Sequence, residues 1–331
     1  MLEVREAADP VPGPGQVRLA VEAAGVNFAD LLARQGVYPD APKLPAVVGY
    51  EVAGTVDALG PGVSAFREGD PVLALTRFGG YSSAVVLPEQ AVFRRPAGMT
   101  AEVGAALPVT YLTAFQTLVV MGGLRHANEL GGRRMRVLVH GASGGVGTAC
   151  ADLGRIYGAE LFGTASPGKH DYVRERGYDH AIDYRQADWA AEVRRLTDGH
   201  GVDLVLDPIG GKHWGESFGV LAPTGRIVLF GVSSVSGKGK LGLLRMALGI
   251  PWKTFNPLHL IRTNKGVLGV NLAHLWGEAE RVGQWVRKLL SYYERGQVRP
   301  FVDRAFPFER AAEAHAYVEG RKNTGKVVLV P

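Results

Sequence analysis

The chain has 331 residues, 46% of them hydrophobic and 21% charged, with a formal net charge of +5, the make-up of a globular protein of about two domains. No apolar run approaches the roughly 18 residues that cross a bilayer, and MLEVREAADP lacks the apolar core of a signal peptide, so a cytoplasmic protein is expected. Basic residues form no stripe and no reading motif accompanies them, which argues against a nucleic-acid partner; the single Cys150 excludes an internal disulfide and a Cys-rich zinc site.

Residues 1 to about 105 alternate in short segments such as QVRLAVEAAGV and YEVAGTVDALG, broken by PGPG, GPGVSAFREGD and RFGG. That spacing predicts an all-β, partly open barrel. TAEVGAALPVTYLTAFQTLVVMGG then has helical spacing, with Thr100 as N-cap and Glu102 in the first turn. From about Arg134 strands and helices alternate: MRVLVHG, GGVGTACADLGRIYG, ELFGTAS, GKHDYVRERG, HAIDY, DWAAEVRRLTDG, VDLVLDPIGG and GRIVLFGVS, with GVLGVN as a sixth strand. Repeated βαβ units predict a doubly wound parallel sheet. The tail, with an amphipathic helix ended by Gly296 and the closing strands FVDRAFP and GKVVLVP, is expected to return to the first domain. Cys150, on the helix after the glycine turn, reads as a packing residue.

In GASGGVG, Gly141, Gly144 and Gly147 lie between a predicted strand and helix. A tight turn there lets backbone N–H groups and the helix N-terminus face a pyrophosphate, which points to a dinucleotide. An NAD site places a carboxylate about 20 residues beyond the glycines, on the ribose 2′-OH. Here that region reads GTASPGKH, with Ser166 and Lys169 and no acid before Asp171. A hydroxyl and an ammonium bind a 2′-phosphate that a carboxylate repels, so the cofactor is read as NADPH, with Tyr184 closing the pocket. The competing reading of Lys169 is a solvated residue in a helix first turn.

GVNFADLLARQGVYP, the long segment from LPAVVGYE to FREGDPV, HGASGGVG, DPIGG, APTGRIVLFG and KNTGKVVLVP occur in this order. Together they resemble the zinc-free quinone oxidoreductase branch, which includes zeta-crystallin, of the medium-chain dehydrogenase/reductase superfamily. GTASPGKH, TNKGVLGVNLAHLW and GRKNTGKVVLVP are most similar to its vesicle amine transport protein subgroup. The resemblance covers almost the whole chain and implies an α/β protein. A GroES-like barrel would span 1–108, a Rossmann NADPH-binding domain 109–270, and 271–331 would return to the catalytic domain, with NADPH between the two and a homodimer as the assembly. It implies that Asn27, Tyr38 and Thr113 line the nicotinamide end. Ser143, Gly144, Gly145 and Val146 would form the pyrophosphate turn, and Ser166, Lys169 and Tyr184 the 2′-phosphate pocket. Gly231, Ser233, Val270, Asn271, Leu272 and Asn323 would be further cofactor contacts. Two departures stand out. Family members have a strand before LEVREAADPVPGPG, where this chain begins, so a barrel lacking that strand is expected; and Leu32 occupies a position where some members carry a tyrosine.

Zinc-dependent relatives carry Cys at the position of Asn27 and His at that of Tyr50, in a GHE motif that reads GYE here. No catalytic or structural zinc is therefore expected, and the nine histidines show no H-x-x-x-H spacing. Glu51 reads as a buried, paired structural carboxylate. Without a Lewis acid the expected electrophiles are already activated: a quinone or an α,β-unsaturated carbonyl, small and apolar. Asn27, Tyr38 and Tyr50 are the candidate donors to developing negative charge, with Tyr50 either a proton donor or a packing residue. Enoyl-thioester reduction is the alternative chemistry, and an NADPH-binding, lipid-handling protein with little turnover the alternative class. Residues 77–81 and the apolar, lysine-bordered segment 238–253 are expected to flank the pocket. The latter is compatible with a lid, an interfacial membrane helix or a packed surface helix, the last being favoured.

Overall fold

The structure, a computed structural model, describes residues 2–185 and 188–331, without the side chain of Lys240. The chain divides into two compact units: unit 1 comprises Met1–Leu112, Leu272–Gly296 and Pro300–Pro331, and unit 2 comprises Thr113–Asn271 and Gln297–Arg299. The strands are β1 (Gln16–Val26), β2 (Glu51–Leu59), β3 (Pro71–Leu75), β4 (Ala84–Pro88), β5 (Val92–Arg94), β6 (Arg136–His140), β7 (Glu160–Ala165), β8 (His180–Asp183), β9 (Val202–Asp207), β10 (Leu221–Leu229), β11 (Gly266–Gly269), β12 (Val302–Pro307) and β13 (Lys326–Val330).

Unit 1 is built on a seven-stranded sheet of order β12-β13-β1-β2-β3-β5, with β4 paired to β1. The eleven residues of β1 let it serve three partners. Its first half pairs with β4, its last residues with β13, and most of its length with β2, across two register shifts. The alternation seen in sequence is the alternation of burial: Val17, Leu19 and Val21 point inward with Val52, Val56, Val72 and Val85 to form the core. The two closing strands join this sheet through β13.

Helix α1 (Phe28–Arg34) follows β1 directly and is capped by Asn27. Thr100 caps α2 (Ala101–Ala105) as expected, its hydroxyl accepting from Val103 N–H. The helical segment that follows is not continuous. It breaks before α3 (Pro108–Phe115) and widens into a π-helical turn over Gln116–Met121; Pro108 supplies no N–H and disfavours helical backbone at the residue before it.

Unit 2 carries a six-stranded parallel sheet of order β11-β10-β9-β6-β7-β8. Its helices are α4 (Gly145–Tyr157), α5 (His170–Glu175), α6 (Trp189–Leu196), α7 (His213–Gly219), α8 (Gly239–Leu248) and α9 (Pro257–Thr263). The order reverses between β6 and β9, and such a switch point places a crevice at the strands' carboxyl ends. Cys150 is fully buried in α4, its thiol pushed well above the ordinary thiol range by burial, which makes it an inert packing residue. Segment 238–253 packs one face, with Met246 against Gly210 and Gly211, and leaves Leu241, Leu244, Leu248 and Trp252 exposed. Unit 1 also holds α10 (Ala279–Glu294) and α11 (Ala311–Glu319). Among the described residues no helix is long and apolar enough to cross a membrane.

Candidate functional site

Strand register assembles the first cluster. Val26, the last residue of β1, pairs with Val327 of β13, and Ala24 pairs with Val52 of β2. The residues that leave β1, enter β2 and enter β13 therefore meet at one end of the sheet: Asn27, Glu51 and Lys326. Asn27 Nδ2 donates to Glu51 Oε1 at 2.8 Å and Lys326 Nζ donates to Asn27 Oδ1 at 2.6 Å; Nζ also pairs with Glu51 Oε1, whose other oxygen accepts Val109 N–H at 2.7 Å. Glu51 is fully buried and Lys326 nearly so. Gly25 makes room, because a Cβ there would collide with Glu51 Oε1. The expected paired structural carboxylate is thus matched by a partner the motifs did not reveal.

Beneath Asn27 lies Asp30, also fully buried. Its Oδ2 accepts Asn27 N–H at 2.8 Å and the Tyr81 hydroxyl at 3.3 Å, and its Oδ1 accepts Gly49 N–H at 3.0 Å. It ties the segment carrying Asn27 to the segment carrying Tyr50. Burial pushes its pKa up to about 7.

Tyr50 is 6% exposed, and its hydroxyl is buried without a hydrogen-bond partner. Its ring packs edge-on against Tyr38 at 6.2 Å and tilted against Phe78 at 4.7 Å. Burial holds both phenols above their ordinary pKa, so each stays protonated at neutral pH. Tyr50, Phe78, Asp40, Arg77, His274 and Trp276 line a pocket of about 250 Å³ within unit 1. Trp276 Nε1 is a second buried donor without a partner. His274 Nε2 lies 3.1 Å from both Asp40 oxygens, while exposed Arg77 has no ion-pair partner among the described residues. Leu272 leads into this wall, and Asn323 Nδ2 donates to Gly325 O at 2.9 Å just before β13.

The remaining expected site residues belong to unit 2, and most follow the carboxyl ends of its strands. Ser143–Val146 follow β6, Ser166 and Lys169 follow β7, Tyr184 follows β8, Gly231 and Ser233 follow β10, and Val270 and Asn271 follow β11. Thr113 lies apart, on α3, where its carbonyl accepts the Thr117 hydroxyl. The glycine turn fits a pyrophosphate. Gly141 has φ +72, a Cβ on Gly147 would collide with the backbone of Ala142, and Gly144 caps α4 without a side-chain bond to its N–H groups. Ser166 and Lys169 are half-buried, and no acid stands between them.

A fold of this kind, with a glycine turn at the switch point and a GYE site in place of GHE, defines a class of nicotinamide-dependent oxidoreductase, and comparison with known proteins agrees. Residues 13–97 match the alcohol dehydrogenase GroES-like domain family and residues 176–329 the zinc-binding dehydrogenase family. The chain is 41% identical to the synaptic vesicle membrane protein VAT-1 homolog of Rattus norvegicus, over all of this chain and 80% of that protein. A mycobacterial protein solved with NADPH is 30% identical, with a TM-score of 0.85 over 99% of this chain and 95% of that one. A Pseudomonas syringae quinone oxidoreductase is also 30% identical, with a TM-score of 0.84 and the same coverage. The chain therefore belongs to the medium-chain dehydrogenase/reductase superfamily and, within it, to the family of VAT-1 homologues.

Proposed function

We propose that the protein is an NADPH-dependent reductase of quinones or α,β-unsaturated carbonyls whose hydride transfer uses no metal. The observation that carries this reading is the Tyr50 hydroxyl, a buried donor without a partner on the wall of a pocket. A buried polar group left unpaired costs about 1–3 kcal/mol, a cost that an acceptor oxygen on a substrate removes.

NADPH, when bound, supplies the hydride. The chain's own part is binding and charge placement. Backbone N–H groups at the start of α4 face the pyrophosphate; Ser166, Lys169 and Tyr184 hold the 2′-phosphate. Thr113, Gly231, Ser233, Val270, Asn271, Leu272 and Asn323 complete the cofactor contacts. Tyr50 donates to the carbonyl oxygen as it gains negative charge, with the Tyr38 ring edge-on beside it. Asn27 acts by position: its amide donates to Glu51 and, at 3.4 Å, to Gly25 O, while its oxygen accepts from Lys326. With Asn27 and Tyr50 at the two positions of Cys and His in zinc-dependent relatives, and Glu51 held by Lys326, none of these three residues offers a vacant metal ligand.

Tyr50→Phe is expected to lower kcat about 100-fold with NADPH affinity unchanged. An unaltered kcat removes Tyr50 from the chemistry.

The exposed face of segment 238–263 favours a second reading, contact with anionic membranes. Leu241, Leu244, Leu248, Trp252, Leu258 and Ile261 are exposed. No Asp or Glu occurs between Glu216 and Glu278, while Lys238, Arg245, Lys253 and Arg262 punctuate the apolar residues. Lys240, in the same run, has its side chain outside the described residues. Binding to phosphatidylserine vesicles, lost in Leu248→Glu/Trp252→Glu, is the expected result; equal binding by the variant rejects it.

A further inference from the structure

Unit 2 holds a second buried polar cluster that the hydride-transfer reading does not use. His140 ends β6, Asp207 ends β9, and His213 and Ser217 sit one helical turn apart on α7. The pairing of β6 with β9 brings the distant His140 to three residues that are close to one another in sequence. Ser217 Oγ lies 2.7 Å from Asp207 Oδ2, 3.1 Å from His140 Nε2 and 3.4 Å from His213 Nδ1. His213 Nδ1 is 2.6 Å from Asp207 Oδ2. One ligand atom from each of His140, Asp207 and His213 falls within a 4.8 Å span.

We propose that His140, Asp207, His213 and Ser217 form a binding site for a borderline divalent cation of the zinc type. Three observations support it. Two imidazoles, a carboxylate and a hydroxyl make a nitrogen–oxygen donor set suited to four-coordinate zinc. The outer partners are already in place: His140 Nδ1 lies 3.0 Å from Thr164 Oγ1, and Asp207 Oδ1 accepts Ile209 N–H at 2.7 Å. Such contacts fix the tautomer and orientation of metal ligands. Finally, Asp207 is fully buried with no Lys or Arg partner among the described residues. A buried carboxylate demands a compensating positive charge, and here only imidazoles are close enough to help.

The path in is the rim at His213, the one member with a partly exposed side chain, at 16%. The buried Trp189 ring stacks on His213 at 5.2 Å.

The test uses the full chain, stripped with a chelator and titrated with Zn²⁺ in a calorimeter, with Co²⁺ absorption as a second readout. One equivalent is expected to bind, with a four-coordinate cobalt spectrum. His213→Ala is expected to weaken binding by more than the about 10–100-fold typical of losing an outer partner, and Thr164→Val by about tenfold. His274→Ala, which removes the exposed pair with Asp40, leaves binding unchanged. Circular dichroism establishes that the variants fold, and Thr164→Val keeps all four ligands if His213→Ala does not. The proposal is overturned if no stoichiometric zinc binds, if folded His213→Ala binds zinc as tightly as the wild type, or if His274→Ala abolishes binding.

Discussion

Each unit buries a carboxylate at one end of its sheet, and the two are neutralised in different ways. In unit 1, Glu51 lies against Lys326, an ammonium delivered by β13 and itself only 4% exposed. In unit 2, Asp207 is held by His213, Ser217 and a backbone N–H, all through protons that can be exchanged. A permanent cation closes a site: its charge is matched and its lone pairs are used. A carboxylate balanced by imidazoles keeps room for a cation from solution.

The comparison is broken most directly by removing one partner from each cluster. Lys326→Met strands Glu51 in a dry interior and is expected to cost about 3–5 kcal/mol in chemical denaturation. Asp207→Asn strands no permanent charge and is expected to cost about 1–3 kcal/mol. If the two costs are equal, or their order reverses, the distinction between a closed and an open site is wrong.

Smaller effects sharpen it. Lys169→Glu removes one charge-assisted bond to the 2′-phosphate, worth about 1.5–3 kcal/mol, so NADPH affinity should fall roughly 10–100-fold while NADH affinity barely changes. Equal weakening of both nucleotides in a fluorescence titration would reject the 2′-phosphate assignment. Asp30 supplies the pH-dependent case. Its folded pKa, about 7, lies above the ordinary 3.8, so the native state holds the proton more tightly than the unfolded chain. The associated stability is fully present below about pH 4 and is lost as pH rises through about 7. His140 and His315, both pushed down to about 3 by burial, act in the opposite sense between about pH 3 and 6.5. The difference between wild type and Asp30→Asn isolates the aspartate, and it should shrink steadily from pH 4 to 7. A difference independent of pH shows that Asp30 does not titrate there.

The two clusters also differ in how far they could be read from the sequence. Asn27, Tyr50 and Glu51 were legible because they sit in local segments, GVN and GYE, whose order is family-specific. Lys326 was not, although it stands in KNTGKVVLVP; its burial follows from the pairing of β13 with β1, strands at opposite ends of the chain. The one signal was a lysine opening a wholly apolar strand, a cation that must enter the core with its strand. His140 gave no spacing signal, since it meets Asp207 and His213 only through the β6–β9 adjacency. The parallel sheet was plain from its alternating units. The exposure of α8 was not, because LGLLRMALG is apolar on every face and its periodicity names no buried side.

The central claim concerns turnover. Chelator-stripped protein, mixed with a panel of quinones and enones and followed by NADPH absorbance with NADH alongside, tests it most directly. The account predicts that at least one quinone or enone oxidises NADPH, faster than NADH and without added metal. Tight NADPH binding with no oxidation by any member of the panel, or activity that appears only on adding zinc, would contradict it.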